Sequence, residues 1–358
     1  MKPVFRTILP VLCVVTLFFS GCAQTEPEPT QTTAPSTEAL PVIDPARETT
    51  EGTEGQDYSL SDPDPLGSLL ITAVSQRFTD KDGIYRYYEG GEMVLPFSML
   101  LEGEQAPEGI GLLLFLDGQP QPYKNGPDAQ SAFLHTYHPE SGTELITDLV
   151  FTPVIGKTGD VLEFYVVALP NPGHILRGAD LPFSNTYGAV ACGFRLKFKA
   201  DPPEQQLPPV GDQLQIDSVI YEDLTDSDRM HDPDADVKKI MYVNGESEYV
   251  TNSFYEITQD STLDICVEAW GASYLHYTLV FYVDNVPVCP VAETLILPDQ
   301  QEDKKTVVRA TLNLPAFDGE SIVYAVLVPR DYYTGDIDSN GYVQWSRTIY
   351  LLEEKAPE

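Results

Sequence analysis

One short pattern occurs twice in this chain, and it restricts the fold more than anything else in the sequence. Leu113-Leu114-Phe115-Leu116-Asp117-Gly118-Gln119-Pro120 recurs as Val280-Phe281-Tyr282-Val283-Asp284-Asn285-Val286-Pro287. Each copy is an apolar run closed by an acidic residue and a turn residue, with a proline two positions further on. A second matched pair follows: Phe164–Pro170 in the first half and Val323–Pro329 in the second. Each half then ends in a tyrosine-bearing segment, from Tyr187 and from Tyr342. Self-similarity of this kind is the mark of a duplicated module. The runs are short, rich in β-branched and aromatic residues, and bounded by turn formers, which predicts strands. Asp-Gly and Asp-Asn after a buried strand predict hairpins. The prolines in the return strands lack an N–H donor and belong at a sheet edge.

The rest of the chain agrees with an all-β reading. Ser68–Val74, Glu92–Leu101, Ala132–His138, Glu144–Phe151, Val161–Leu169 and Tyr187–Phe198 are further short apolar runs separated by Gly, Pro and Asn. No long stretch has a 3.6-residue period, so an α/β layer architecture lacks its helices. Pro202, Pro203, Pro208 and Pro209 crowd one stretch, which predicts a semi-rigid linker over residues 201–212. The expected domains are therefore 66–200 and 213–353.

Their strand order and the Phe115–Pro120 hairpin resemble immunoglobulin-like or fibronectin-type-III-like modules of bacterial surface proteins. The resemblance implies two tandem immunoglobulin-like β-sandwich domains, without the Cys–Trp–Cys core of antibody domains.

The N-terminus predicts an address. Lys2 and Arg6 precede an apolar stretch from Thr7 to Phe19, and Ser20-Gly21 are the small residues at a cut. That is the order of a cleaved signal over residues 1–21, and the run is too short to span a bilayer. Leu17-Phe18-Phe19-Ser20-Gly21-Cys22 resembles a lipoprotein lipobox, which implies a diacylglycerol on Cys22. The implied address is extracytoplasmic, lipid-anchored to the membrane of a Gram-positive bacterium. Residues 22–65 are rich in Thr, Glu, Pro and Ser without apolar periodicity, the composition of a disordered tether.

The formal net charge is −34. Such a surface repels phosphate backbones, so nucleic acid is excluded as a partner, whereas basic proteins and cations are attracted. Beyond Cys13 and Cys22, Cys192, Cys266 and Cys289 remain, and only the last two fall within one domain. Cys266 lies out of phase with Leu263, Ile265, Val267 and Ala269, so it points away from the core, and unbridged thiols are expected.

No nucleophile elbow, zincin, phosphate-loop or dinucleotide motif occurs. His135 and His138 stand three apart, but on a strand they face opposite sides. Aromatic residues are better placed. Trp270 and Tyr274 border one turn of the second domain, and Tyr332 and Tyr333 lie on another. In an immunoglobulin-like sandwich those loops meet at one end, where aromatic side chains stack on sugars or anchor proteins. Asp336, Asp338 and Asn340, followed by Gly341 and the carbonyl of Tyr342, match the first half of a calcium loop. Arg347 stands where that loop has its bidentate Glu, and Asn340-Gly341 also suits a plain hairpin turn. Calcium is thus the one candidate ion, with no other cofactor indicated. The expected function is non-catalytic binding or scaffolding at the cell surface, with a protein or glycan ligand. A structural spacer and a ligand-capture lipoprotein serving a transporter are the alternatives, and an enzyme is the least supported.

Overall fold

In this computed structural model the described residues are 73–78, 85–102, 109–140, 142–172, 190–230, 238–247, 254–257, 261–271, 276–289, 294–301, 303–314, 317, 319–330, 343–346 and 349–353. Among them every regular element is a strand, apart from one 3-10 turn at Asp228–Met230. Cys22 and the tether lie outside the described residues.

Among the described residues the first domain has nine strands: β1 (Ala73–Phe78), β2 (Tyr85–Tyr88), β3 (Met93–Glu102), β4 (Ile110–Leu116), β5 (Gln119–Pro120), β6 (Leu134–Tyr137), β7 (Glu144–Phe151), β8 (Val161–Pro170) and β9 (Val190–Phe198). One sheet is ordered β1-β3-β7 and the other β2-β9-β8-β4-β5, with β6 also on β4. All pairings are antiparallel except β2 with β9.

The second domain repeats this plan in β10 (Leu214–Asp223), β11 (Lys238–Val243), β12 (Glu246–Ser247), β13 (Phe254–Ile257), β14 (Thr262–Trp270), β15 (Tyr277–Val283), β16 (Val286–Pro287), β17 (Leu295–Ile296), β18 (Lys304–Asn313), β19 (Glu320–Pro329), β20 (Gln344–Trp345) and β21 (Ile349–Glu353). Its sheets run β10-β18-β14-β11-β12 and β13-β21-β19-β15-β16, with β17 on β15 and β20 on β19. The one parallel contact, β13 with β21, falls where β2 meets β9. These are two tandem immunoglobulin-like β-sandwich domains, and their common strand order identifies a duplication.

The hairpin pattern coincides in register. Phe115 pairs Pro120 and Leu116 pairs Gln119, as Tyr282 pairs Pro287 and Val283 pairs Val286. Asp117 (φ 49) with Gly118 (φ 77) and Asp284 (φ 48) with Asn285 (φ 65) occupy the left-handed region that a two-residue hairpin turn demands. Both prolines sit on the short strand at the end of their sheet among the described residues.

Each sandwich has its own core. Leu95, Phe97, Leu112, Leu114, Phe164 and Phe194 are among the side chains that fill the first. Met241, Leu263, Val267, Phe281, Val308 and Leu327 are among those that fill the second. A third core lies between the domains. Leu113, Phe115, Tyr165, Val167 and Leu169 of the first pack with Val280, Tyr282, Tyr324, Val326 and Val328 of the second. Strands β4 and β15 are therefore buried at every position, and β8 and β19 nearly so. Alternate residues serve the private core and the shared one, which is why these runs are apolar without alternation. Residues 56–358 accordingly pack as one unit.

Several local expectations change. The first strand among the described residues is Ala73–Phe78 and runs past Val74, while positions 68–72 of the expected Ser68–Val74 lie outside them. Strands β2 and β13 were not expected. After β10, Asp228 is 9% exposed and accepts from the N–H and the hydroxyl of Thr225, both at 2.8 Å. The proline-rich stretch forms no strand and is tied at both ends. Gln205 donates to the carbonyls of Thr152 (2.9 Å) and Pro153 (3.1 Å), and the Gly211 N–H donates to the Pro287 carbonyl at 2.8 Å.

Candidate binding surfaces

The aromatic loop end of the second domain is described only at its flanks. Tyr277 pairs Pro329 across β15 and β19, and the Arg330 N–H donates to the His276 carbonyl at 2.8 Å. The starting point of one loop thus lies against the end point of the other. Tyr274, Tyr332, Tyr333, Asp336, Asp338, Asn340 and Tyr342 lie outside the described residues. Trp270, the last residue of β14, is 2% exposed, and its indole N–H finds no hydrogen-bond acceptor among the described residues. In this conformation the ring is covered, so an aromatic surface here would be carried by the tyrosines.

The seam between the domains has a polar latch at the same end. The Arg330 guanidinium donates to the Asp117 carboxylate at 2.5 Å, and both side chains are mostly buried. Gly118 lies against Thr278, which is fully buried. A Cβ at Gly118 would come within 2.3 Å of the Thr278 hydroxyl oxygen. Elsewhere on the seam is a cleft of about 740 Å³, lined by Phe133, Leu134, Pro208, Pro209, Val286 and Val288. That size suits a small ligand, and domain junctions are common places for one. Asp117 of the latch belongs to the repeated hairpin pattern, but that pattern does not announce its partner Arg330, and no motif marks the cleft. The one available signal was the missing alternation in the four inner strands.

The remaining polar clusters hold the sandwiches together. Glu163 and Arg195 pair across β8 and β9 at 2.9 Å, and Arg195 reaches the Tyr85 hydroxyl on β2 at 3.2 Å. His135 is half-buried, with Nε2 2.7 Å from the Tyr123 carbonyl, and burial lowers its pKa. Lys305 meets Glu268 at 2.7 Å and Asp228 at 3.6 Å. Burial opposes ionisation of Asp228, but the Thr225 hydrogen bonds and Lys305 outweigh it and hold the carboxyl below its ordinary value. Cys192, Cys266 and Cys289 form no disulfide, and Cys266 alternates outward from its core-facing neighbours. Among the described residues no group of three His, Cys, Asp or Glu converges on a metal position.

No family model matches the chain. No curated protein matches it either. Solved structures similar to it include the fibronectin(III)-like modules of Clostridium thermocellum CbhA, at 8% identity and TM-score 0.18, covering 80% of this chain and 99% of that one. The C-terminal domain of the Streptococcus pyogenes antigen I/II-family protein AspA matches at 8% identity and TM-score 0.21, covering 78% and 99%. The N-terminal eight immunoglobulin domains of Down syndrome cell adhesion molecule match at 12% identity and TM-score 0.21, covering 80% of this chain and 42% of that one. At such TM-scores the fold assignment rests on the strand order and register described above.

Proposed function

We propose that this chain is a lipid-anchored, extracytoplasmic binding protein without catalytic activity, whose two sandwiches form one rigid head. The shared core between the domains carries this reading. Modules of a stalk gain reach by joining end to end through flexible or narrow junctions. Here the inner sheets pack face to face through Phe115, Tyr165, Tyr282 and Tyr324. That arrangement adds thickness and fixes one domain's loops against the other, which suits presentation of a surface better than spacing. The lipobox at Cys22 and the polar tether supply the anchor and the reach. A single acyl chain binds a membrane only reversibly, and the two chains of a diacylglyceryl cysteine anchor it stably.

The ligand class follows from the loops. Tyr274, Tyr332 and Tyr333 offer stacking faces for a glycan or anchors for a protein, and Asp336, Asp338 and Asn340 would order their loop around calcium. Two measurements test this reading. Cys22→Ser moves the protein from the membrane pellet to the soluble fraction; a mutant that stays in the carbonate-washed pellet removes the anchor. Millimolar calcium raises the melting temperature of the mature protein, and Asp336→Ala with Asp338→Ala cancels the rise. A melt indifferent to calcium and to chelator leaves those residues as a turn.

A further inference from the structure

The duplication leaves one strand position filled in the second domain and open in the first. In the second domain β10 runs antiparallel along the outer edge of β18 over nine paired positions. The equivalent of β18 is β7, because β3-β7 corresponds to β14-β18 in sheet order. The core pair Leu95–Leu149 then matches Leu263–Leu312, and Val150 matches Asn313. Both of these residues donate their N–H to a chain arriving at the edge: Val150 to the Lys124 carbonyl at 3.0 Å, and Asn313 to the Gln213 carbonyl at 2.9 Å. From Gln213 the chain continues along the edge as β10. From Lys124 it bends away through Asn125 and Gly126.

Beyond Val150, no strand pairs the outer edge of β7 among the described residues. In an antiparallel ladder successive residues direct their N–H and C=O to opposite sides. Since Val150 faces outward, so do Asp148 and Ile146. Ile146 is 65% exposed, and Val94 of β3, on the same outer face, is 55% exposed. An exposed edge of this kind is a template for another strand.

Charge specifies the guest. In the second domain the inner partner is basic and the added strand acidic. Lys304 pairs with Asp223, Arg309 lies 3.6 Å from Glu222, and the Thr311 hydroxyl donates to Asp217 at 3.0 Å. In the first domain the polarity is reversed: β7 carries Glu144 and Asp148 and no Lys or Arg, and Asp148 stands where Thr311 stands in β18. A second copy of β7 would place carboxylates opposite carboxylates, which is unfavourable. The chain's own stretch 22–65 has ten Asp and Glu against the single Arg47, and is equally mismatched.

We propose that the outer edge of β7 at Ile146–Asp148 is a strand-addition site for a basic extended segment of a partner protein. The guest continues the track that Lys124 begins, bonds the backbone of Ile146 and Asp148, sets a Lys or Arg beside Asp148, and covers Ile146. This site is separate from the tyrosine loops of the second domain, so either can fail without the other.

The test uses the mature protein and two labelled heptapeptides, Thr-Lys-Val-Lys-Val-Lys-Thr and its Lys-to-Glu counterpart, with fluorescence anisotropy and residue-resolved hydrogen exchange. The basic peptide binds and protects the amides of Ile146 and Asp148; the acidic peptide does neither. Asp148→Lys weakens binding by about fivefold or more, as expected for reversing an exposed ion pair. Ile146→Pro removes an outward N–H without touching the β3 ladder, and weakens binding by about tenfold. If that variant is unfolded, Asp148→Lys alone decides. Equal binding of both peptides, unprotected amides at saturation, or affinity unchanged in the folded variants overturns the proposal. So does a peptide-free dimer that already protects Ile146 and Asp148, which would make the guest a second copy.

Discussion

At the scale of single residues, the structure turns on positions where a backbone or a proton has no alternative. Gly118 has φ 77 and lies against Thr278 across the seam, so the turn and the close approach both exclude a side chain. Gly118→Ala is expected to cost about 1–3 kcal/mol, the range for a forced positive φ, with crowding added. Urea denaturation measures the loss, and an unchanged midpoint would mean the seam yields there. His135 sets a pH dependence. Burial lowers its folded pKa below the ordinary 6.5, so the unfolded chain binds the extra proton more readily. Its contribution is therefore complete above pH 6.5 and is lost as pH falls through the lowered folded value. Stability measured against pH should decline below that point, and His135→Gln should flatten this part of the curve. A decline of equal size in the variant would assign it to other groups. Trp270 shows the limit of reading a residue from its neighbours. A Trp beside a Gly-containing turn suggests an exposed ring, and alternation along β14 puts it on the face of Cys266 and Glu268, yet it is 2% exposed.

At the scale of elements, the inner strands decide what each domain does alone. A fragment covering residues 211–358 keeps its own core but loses the cover over Val280, Tyr282, Tyr324, Val326 and Val328. Apolar patches of that kind drive association. The fragment should retain β-type circular dichroism, bind an apolar dye and self-associate in sedimentation; a monomer that ignores the dye would show the shared core to be dispensable. The hairpins Phe115–Pro120 and Tyr282–Pro287 were legible because Asp-Gly and Asp-Asn state their turn locally. The sandwich class was legible from the many short apolar runs. Strands β2 and β13 were not, because four-residue parallel partners carry little pattern and are fixed by β9 and β21 from far along the chain. The partner of strand β10 was hidden, because its acidic residues make sense only opposite Lys304, Lys305 and Arg309. The uninterrupted run Val323–Val328 did report burial on two faces, yet nothing local says that the second face meets another domain.

At the scale of the whole molecule, three stacked cores make the two sandwiches one body, and the proposed binding head depends on that. Its most direct test is pulsed hydrogen exchange across a urea titration of the mature protein. Peptides from β3 and from β14 are followed, since these outer strands pack only in the private cores of the first and second domain. The shared core predicts coincident midpoints for both strands, and Phe115→Ala, which opens that core from one side, should lower both together. Truncating a buried Phe costs about 3–5 kcal/mol, enough to displace the transition clearly. Two separate midpoints, with Phe115→Ala moving only that of β3, would contradict a shared core and return the chain to two independent modules on a tether.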